Sequence, residues 1–161
     1  MKNAGCHLLK TAGMKIDIKN YGGLYMIEDK QLMGFAIVAR HMAYAPYSGY
    51  KVGAALITED DQLFTGSNIE NASYGATCCA ERTAVFKAVS EGHLKVKTIA
   101  ISGGKGDELN MAYPCGICRQ VLREFADPKK LRVLVGTSSD NFTIHSLEEL
   151  LPDSFGPEAL E

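Results

Sequence analysis

From Asp29 onward, apolar and polar positions alternate in readable patterns. Leu32, Phe35, Ala36, Ala39 and Ala43 recur at spacings of three and four, with Met33, Ile37 and Val38 widening the stripe. That period predicts an amphipathic helix with one buried face. Pro46 and the Ser48-Gly49 pair end it and open a loop. Residues 52–57 form a short apolar run, read as a strand, and residues 62–67 read as its returning partner. Glu59-Asp60-Asp61 between them is a solvated acidic turn, so the first two strands are expected to pair antiparallel. After a polar loop over 68–75, residues 79–91 read as a second helix. Ala80, Ala84 and Ala88 lie at i, i+4 and i+8 and give it a smooth face able to approach a sheet closely. Gly92 is its stop.

Residues 98–101 read as a buried strand, and Gly103-Gly104-Lys105-Gly106 as a surface loop after it. That glycine run lacks the spacing of a phosphate-binding loop. Pro114 leads into a third helix over 116–126. Strands follow at 131–136 and 142–145, and Ser146 with Glu149 forms a capping box for a short helix that stops at Pro152. Helices and strands alternate around one sheet with no repeat or linker, so the fold class is α/β. The first 28 residues are rich in Gly, Lys and Asn and carry little periodicity. They read as a flexible N-terminal extension, with Met14 and Met26 as further candidate starts and Cys6 and His7 as adventitious residues. The expected organisation is therefore an extension over 1–28 and one domain over 29–161, a length able to bury a sizeable core.

Charge narrows the range of partners. Seventeen Lys and Arg against nineteen Asp and Glu leave a net charge of −2 with no concentrated basic run, which argues against a nucleic-acid-binding face. Lys129, Lys130 and Arg132 read as a solvated loop before a strand. No apolar run approaches the ~20 residues of a membrane span, and no signal-peptide pattern is present. Five cysteines, an odd number without such a signal, point to a reducing, cytoplasmic setting.

Three of those cysteines carry the chemistry. Cys79-Ala80-Glu81-Arg82 opens the second helix, and Pro114-Cys115-Gly116-Ile117-Cys118-Arg119 opens the third. Three cysteine ligands leave one coordination position open, as in a catalytic zinc site; a structural site would close with a fourth protein ligand. Thiolates bind the metal, and helix starts favour negative charge. Glu81 stands two residues from a ligand, placed to move protons beside the metal. Arg82, and less directly Arg119, can offset the excess negative charge of three thiolates. The rival readings are a closed zinc knuckle, with Cys78, His93 or His145 as fourth ligand, and a thiol redox pair, which leaves Cys79-x-Glu81 unexplained.

Several stretches together closely resemble cytidine deaminases of the small, homotetrameric, three-cysteine class. They are Met42-Ala43-Tyr44-Ala45-Pro46-Tyr47-Ser48, Val52-Gly53-Ala54-Ala55-Leu56, Asn68-Ile69-Glu70-Asn71-Ala72, Cys79-Ala80-Glu81-Arg82-Thr83-Ala84 and Pro114-Cys115-Gly116-Ile117-Cys118-Arg119-Gln120. The likeness runs from about residue 29 to 155. It implies a three-layer fold with a mixed five-stranded sheet flanked by helices. It also implies hydrolysis of free cytidine and 2′-deoxycytidine to the uridine forms and ammonia, in pyrimidine salvage, with one zinc per subunit of a homotetramer. By the same resemblance Cys79, Cys115 and Cys118 are the zinc ligands and Glu81 the proton shuttle. Asn68 and Glu70 hold the ribose, Tyr50 lines the nucleoside pocket, and the Ala80 backbone contacts the pyrimidine. Tyr74 and Phe155 match positions that reach a neighbouring subunit's site. The N-terminal extension and Cys78 depart from the family pattern. The alternatives are a blasticidin S-type deaminase on the same scaffold, a nucleic-acid base deaminase, and a zinc-stabilised binding module without catalysis.

Overall fold

The computed structural model describes residues 27–160; Cys6, His7, Met14, Met26 and the rest of the expected extension up to Met26 lie outside the described residues. Five strands form one sheet: β1 (Tyr50–Thr58), β2 (Leu63–Ser67), β3 (Val96–Lys105), β4 (Arg132–Ser138) and β5 (Asn141–Ser146). Their order across the sheet is β2-β1-β3-β4-β5. β1 pairs antiparallel with both β2 and β3, β3 runs parallel to β4, and β5 returns antiparallel to β4. The mixed five-stranded sheet is the architecture expected from the sequence.

Both faces of the sheet are covered, which is why its central strands read as continuous apolar runs and not as alternation. Helix α1 (Asp29–Ala39) packs Leu32, Met33 and Ala36 on one face, against Ala55, Ile57, Ala100 and Leu134. Helices α2 (Ala80–Ser90) and α3 (Gly116–Glu124) cover the other. There Ala84, Val85 and Leu122 meet Leu56, Ile99, Ile101 and Val133. Leu147, in the short helix α4 (Leu147–Leu150), joins this second core. The Ser146–Glu149 capping box forms as expected, each side chain bonded to the other's backbone N–H. Two glycines set how closely the helices lie. A Cβ built on Gly53 would overlap the Ala36 carbonyl and Arg40 backbone of α1 and the turn after it, and one on Gly66 the Ala80 carbonyl and Ala84 backbone of α2. Ala80, Ala84 and Ala88 are fully buried, as the smooth face predicted.

Two expectations need correction. The first helix does not continue to Ala43; it tightens into a 3-10 turn over Arg40–Met42. Arg40 is buried there, and its guanidinium donates to the carbonyls of Lys51 (3.1 Å), Gly104 (3.1 Å) and Gly106 (2.5 Å). The glycine run is also not all loop. Gly103, Gly104 and Lys105 lie in β3, opposite Val52, Lys51 and Tyr50 of β1. The chain folds back so tightly afterwards that a Cβ on Gly104 would overlap the Glu108 carbonyl.

Candidate metal centre

The two helices on the second face begin side by side and carry the candidate chemistry at their N-termini. Cys79 is the N-cap residue of α2 and Cys115 that of α3, each with extended backbone. Cys118 lies in the first turn of α3 and is fully buried. All three Sγ atoms lie within 4.8 Å of one another. Cys79 and Cys115 sulfurs are 3.9 Å apart, and those of Cys115 and Cys118 3.5 Å. A tetrahedral zinc with Zn–S bonds of about 2.3 Å needs sulfurs about 3.8 Å apart. Both separations lie within 0.3 Å of that value, and thiolates at helix N-termini are the donor set zinc prefers. The residues fit the metal.

Among the described residues, no fourth His, Cys, Asp or Glu joins the cluster. Cys78, the nearest candidate in sequence, sets its sulfur 3.7 Å from the Cys79 carbonyl and 3.6 Å from the Thr83 hydroxyl. His93 pairs with Asp60 at 2.7 Å, and His145 lies 3.1 Å from the Thr143 hydroxyl. The closed-knuckle reading thus lacks its ligand.

Electrostatics sets Cys79 and Cys118 apart. Cys79 is lowered to about 5, first by its interaction with the Cys118 thiol, then by hydrogen bonds from Arg82 and Cys115, against the opposing effect of burial. Cys118 is pushed upward by the Cys79 sulfur and by burial. Cys79 therefore ionises before Cys118. Arg82 bridges the Thr77 carbonyl at 2.8 Å and the Cys79 sulfur at 3.8 Å, so its charge sits directly on the cluster. Arg119 turns away: its guanidinium donates to the carbonyls of Pro114 (2.8 Å) and Leu150 (2.6 Å). Glu81, in the first turn of α2, is only 4% exposed. Burial raises its carboxyl to about 7, and the Cys79 charge adds to that.

The segment carrying Asn68 and Glu70 runs alongside. Ile69 exchanges backbone hydrogen bonds with Cys78 (2.8 and 3.0 Å), and Tyr44 bonds to the residues on either side of Ile69. The Asn68 amide is buried and splices into β1: its oxygen accepts from the Val52 N–H at 2.7 Å, and its nitrogen donates to the Tyr50 carbonyl at 2.9 Å. Glu70 accepts from the Tyr47 and Ser48 N–H groups (2.8 and 3.2 Å) and from the Ser48 hydroxyl. Tyr50 sits half-buried at the start of β1, its ring close to Gly103. Ala80, the first residue of α2, is fully buried, its carbonyl packed against Gly66. Tyr74 and Phe155 are exposed; Tyr74 packs on Tyr47 with ring centroids 5.9 Å apart. Ser48 is a residue the sequence reading passed over. Its place between a Pro-Tyr pair and Gly49 marked a turn, but only the fold shows that its hydroxyl holds Glu70.

Three thiols at zinc spacing, with a buried carboxylate beside them, suit a hydrolytic zinc centre better than a structural one. The comparisons agree. Residues 26–135 match the family described as "Cytidine and deoxycytidylate deaminase zinc-binding region". A cytidine deaminase from Halalkalibacterium halodurans is 45% identical over 132 residues, spanning 82% of this chain and 97% of that one. A probable cytidine deaminase from Dictyostelium discoideum is 43% identical over 122 residues, 76% of this chain and 80% of that one. The crystal structure of cytidine deaminase from Burkholderia pseudomallei superposes with a TM-score of 0.70 at 44% identity, covering 77% of this chain and 96% of that one. This chain belongs to the cytidine and deoxycytidylate deaminase family.

Proposed function

We propose that this protein is a zinc-dependent hydrolase that converts free cytidine and 2′-deoxycytidine to uridine and 2′-deoxyuridine with release of ammonia. The observation that carries the reading is the buried Glu81 carboxylate beside three thiols at zinc spacing. Cys79, Cys115 and Cys118 would hold one zinc per subunit. When bound, zinc lowers the pKa of a coordinated water and so supplies a nucleophile at neutral pH.

The balance of the reaction assigns work to the protein. At C4 of the cytosine ring a C–O bond forms and the C–N bond breaks. Water supplies the oxygen and two protons, one for ring nitrogen N3 and one for the departing amine. Glu81 accepts and returns those protons, and its burial keeps bulk water from competing. Arg82 offsets the negative charge of the thiolates from its place against Cys79. The ribose 3′-hydroxyl is assigned to Asn68 and Glu70, which keep a free amide hydrogen and carboxylate lone pairs after their bonds to the backbone. Tyr50 lines the base pocket, and the Ala80 backbone contacts the pyrimidine.

The same reading extends to assembly and setting. Met42, Tyr44, Tyr47, Ile69 and Tyr74 expose apolar surface near the site, and Tyr44 and Tyr47 contact the segments bearing Ile69 and Tyr74. Such a patch supports a homotetramer in which Tyr74 and Phe155 complete a neighbouring subunit's pocket. Residues 29–161 would be the catalytic domain, 1–28 its extension, and the enzyme a cytoplasmic member of pyrimidine salvage. Among the described residues, no helix is long and apolar enough to cross a membrane.

The deciding experiment is the ultraviolet absorbance change on mixing the protein with cytidine. A fall in the cytidine signal, lost in Glu81→Ala at unchanged zinc content, supports the assignment. A zinc-loaded protein that leaves cytidine intact refutes it and moves the search to modified nucleosides such as blasticidin S.

A further inference from the structure

Beyond Leu151 the chain has almost no apolar anchor. Of residues 152–160 only Gly156 is buried, and what buries it is a cation: a Cβ on Gly156 would overlap the Arg123 guanidinium. Arg123 projects from α3 and is itself 7% exposed. Its Nε donates to the Ser154 hydroxyl at 3.0 Å, and a terminal nitrogen donates to the Glu158 carboxylate. One turn back on the same helix, Gln120 donates to the Phe155 carbonyl at 3.1 Å, and Arg119 reaches the Leu150 carbonyl. One helix thus grips residues 150–158 through polar contacts, with Arg123 held on both sides of Phe155. A cleft of about 390 Å³ opens between Pro157 and Glu158 and the end of α3, lined also by Arg123, Glu124, Lys95 and Asp127, so little packing secures the strap there. A buried cation without its partners is costly, so Arg123 and the strap hold one another in place. Phe155 meanwhile stays 60% exposed, an aromatic ring fixed by its backbone and available to a ligand or a neighbouring subunit.

We propose that Arg123 is a positioning residue: by clamping Ser154, Gly156 and Glu158 it sets where the Phe155 ring stands when it completes a neighbouring subunit's nucleoside pocket. The inference rests on the assignment of Phe155 to that pocket made above. Because the N-terminus of α3 carries Cys115 and Cys118, the helix that would hold two ligands of its own subunit's zinc also holds the aromatic residue offered to the neighbour's pocket.

The test is a double-mutant cycle read in KM and kcat for cytidine, with zinc content measured in each protein. The paired strap variant Ser154→Ala/Glu158→Ala leaves the core and α3 intact, so it stays informative even where Arg123→Met misfolds. Its KM is expected to rise on the order of tenfold, the worth of a small apolar contact, with kcat and zinc content unchanged. Phe155→Ala gives a similar rise, the combination gives no more than either alone, and Arg123→Lys recovers part of the loss of Arg123→Met. A rise in KM for Phe155→Ala with none in the strap variant overturns the role of Arg123 and keeps Phe155 at the pocket. An unchanged KM in Phe155→Ala overturns both.

Discussion

Replacing Gly66 by alanine tests how far the chemistry depends on the seating of one helix. A Cβ there would overlap the Ala80 carbonyl and the Ala84 nitrogen and would come within 3.0 Å of the Ala84 Cα. All three atoms are backbone, so no side chain can swing aside; α2 must move off β2. Restoring ordinary contact takes a displacement on the order of 1 Å, and Cys79 and Glu81 ride on that turn. Overpacking of this kind costs about 1–3 kcal/mol. A stiffer unfolded chain returns about 0.4–1 kcal/mol at most, because glycine loses more freedom on folding. The net is a moderately destabilised protein whose Glu81 carboxylate, the proposed proton shuttle, is displaced, and a shift of about 1 Å can cost about 100-fold in rate. We expect Gly66→Ala to lose about two orders of magnitude in kcat/KM for cytidine while remaining folded by circular dichroism. Gly75→Ala, where a Cβ meets nothing within 4 Å, is the control and should be neutral. Wild-type turnover and stability in Gly66→Ala would refute the claim that close helix–sheet contact sets the site.

Other perturbations separate the remaining elements. Glu81→Gln should lower turnover by about 10²–10⁴-fold, the usual worth of a positioned proton-transfer group, while the protein retains its zinc by metal analysis. Leu134→Ala removes a fully buried side chain between α1 and the sheet and should cost about 2–5 kcal/mol in denaturant unfolding. Ser146→Ala deletes the α4 cap and should cost only about 1 kcal/mol in the same assay. Glu70 is held below its ordinary value of 4.5, first by the Ser48 hydroxyl and then by the Tyr47 and Ser48 N–H groups. A lowered carboxylate stabilises the fold above its unfolded pKa, and the contribution fades as pH falls through the folded one. Acid unfolding followed in wild type and Glu70→Gln should therefore show the two proteins' pH dependences differing below about pH 4.5 and running parallel above it.

Much of this architecture is written locally. The stripe from Leu32 to Ala39, the run from Val52 to Ile57 and the Ser146–Glu149 box each follow from side-chain period or capping chemistry, and each is found in place. The three-cysteine cluster was legible for a different reason: coordination would constrain Cys-x-Glu and Pro-Cys-x-x-Cys, so short spacings carry the geometry. What escaped depends on contacts between distant segments. Gly103 and Gly104 look like loop residues until β1 supplies their partners. The Asn68 amide reads as a ligand for sugar, yet two of its bonds splice it into β1. Nothing near Arg123 announces that Gly156, thirty-three positions later, will lie against it.

The buried Arg40 also bears on where this chain can change length. Among the described residues no carboxylate pairs with its guanidinium; it is solvated by carbonyls from the β1 backbone, the end of β3 and the tight bend after it. Those carbonyls act like a coordination shell with fixed radius, so an added residue between Gly104 and Glu108 would strip a permanent charge of its solvent. The turns at Asp60–Asp61 and Ser139–Asp140 carry no such obligation, their side chains being bonded near the surface. Natural insertions, and grafted tags or loops, should therefore collect at those two turns and be excluded from the bend that Arg40 holds.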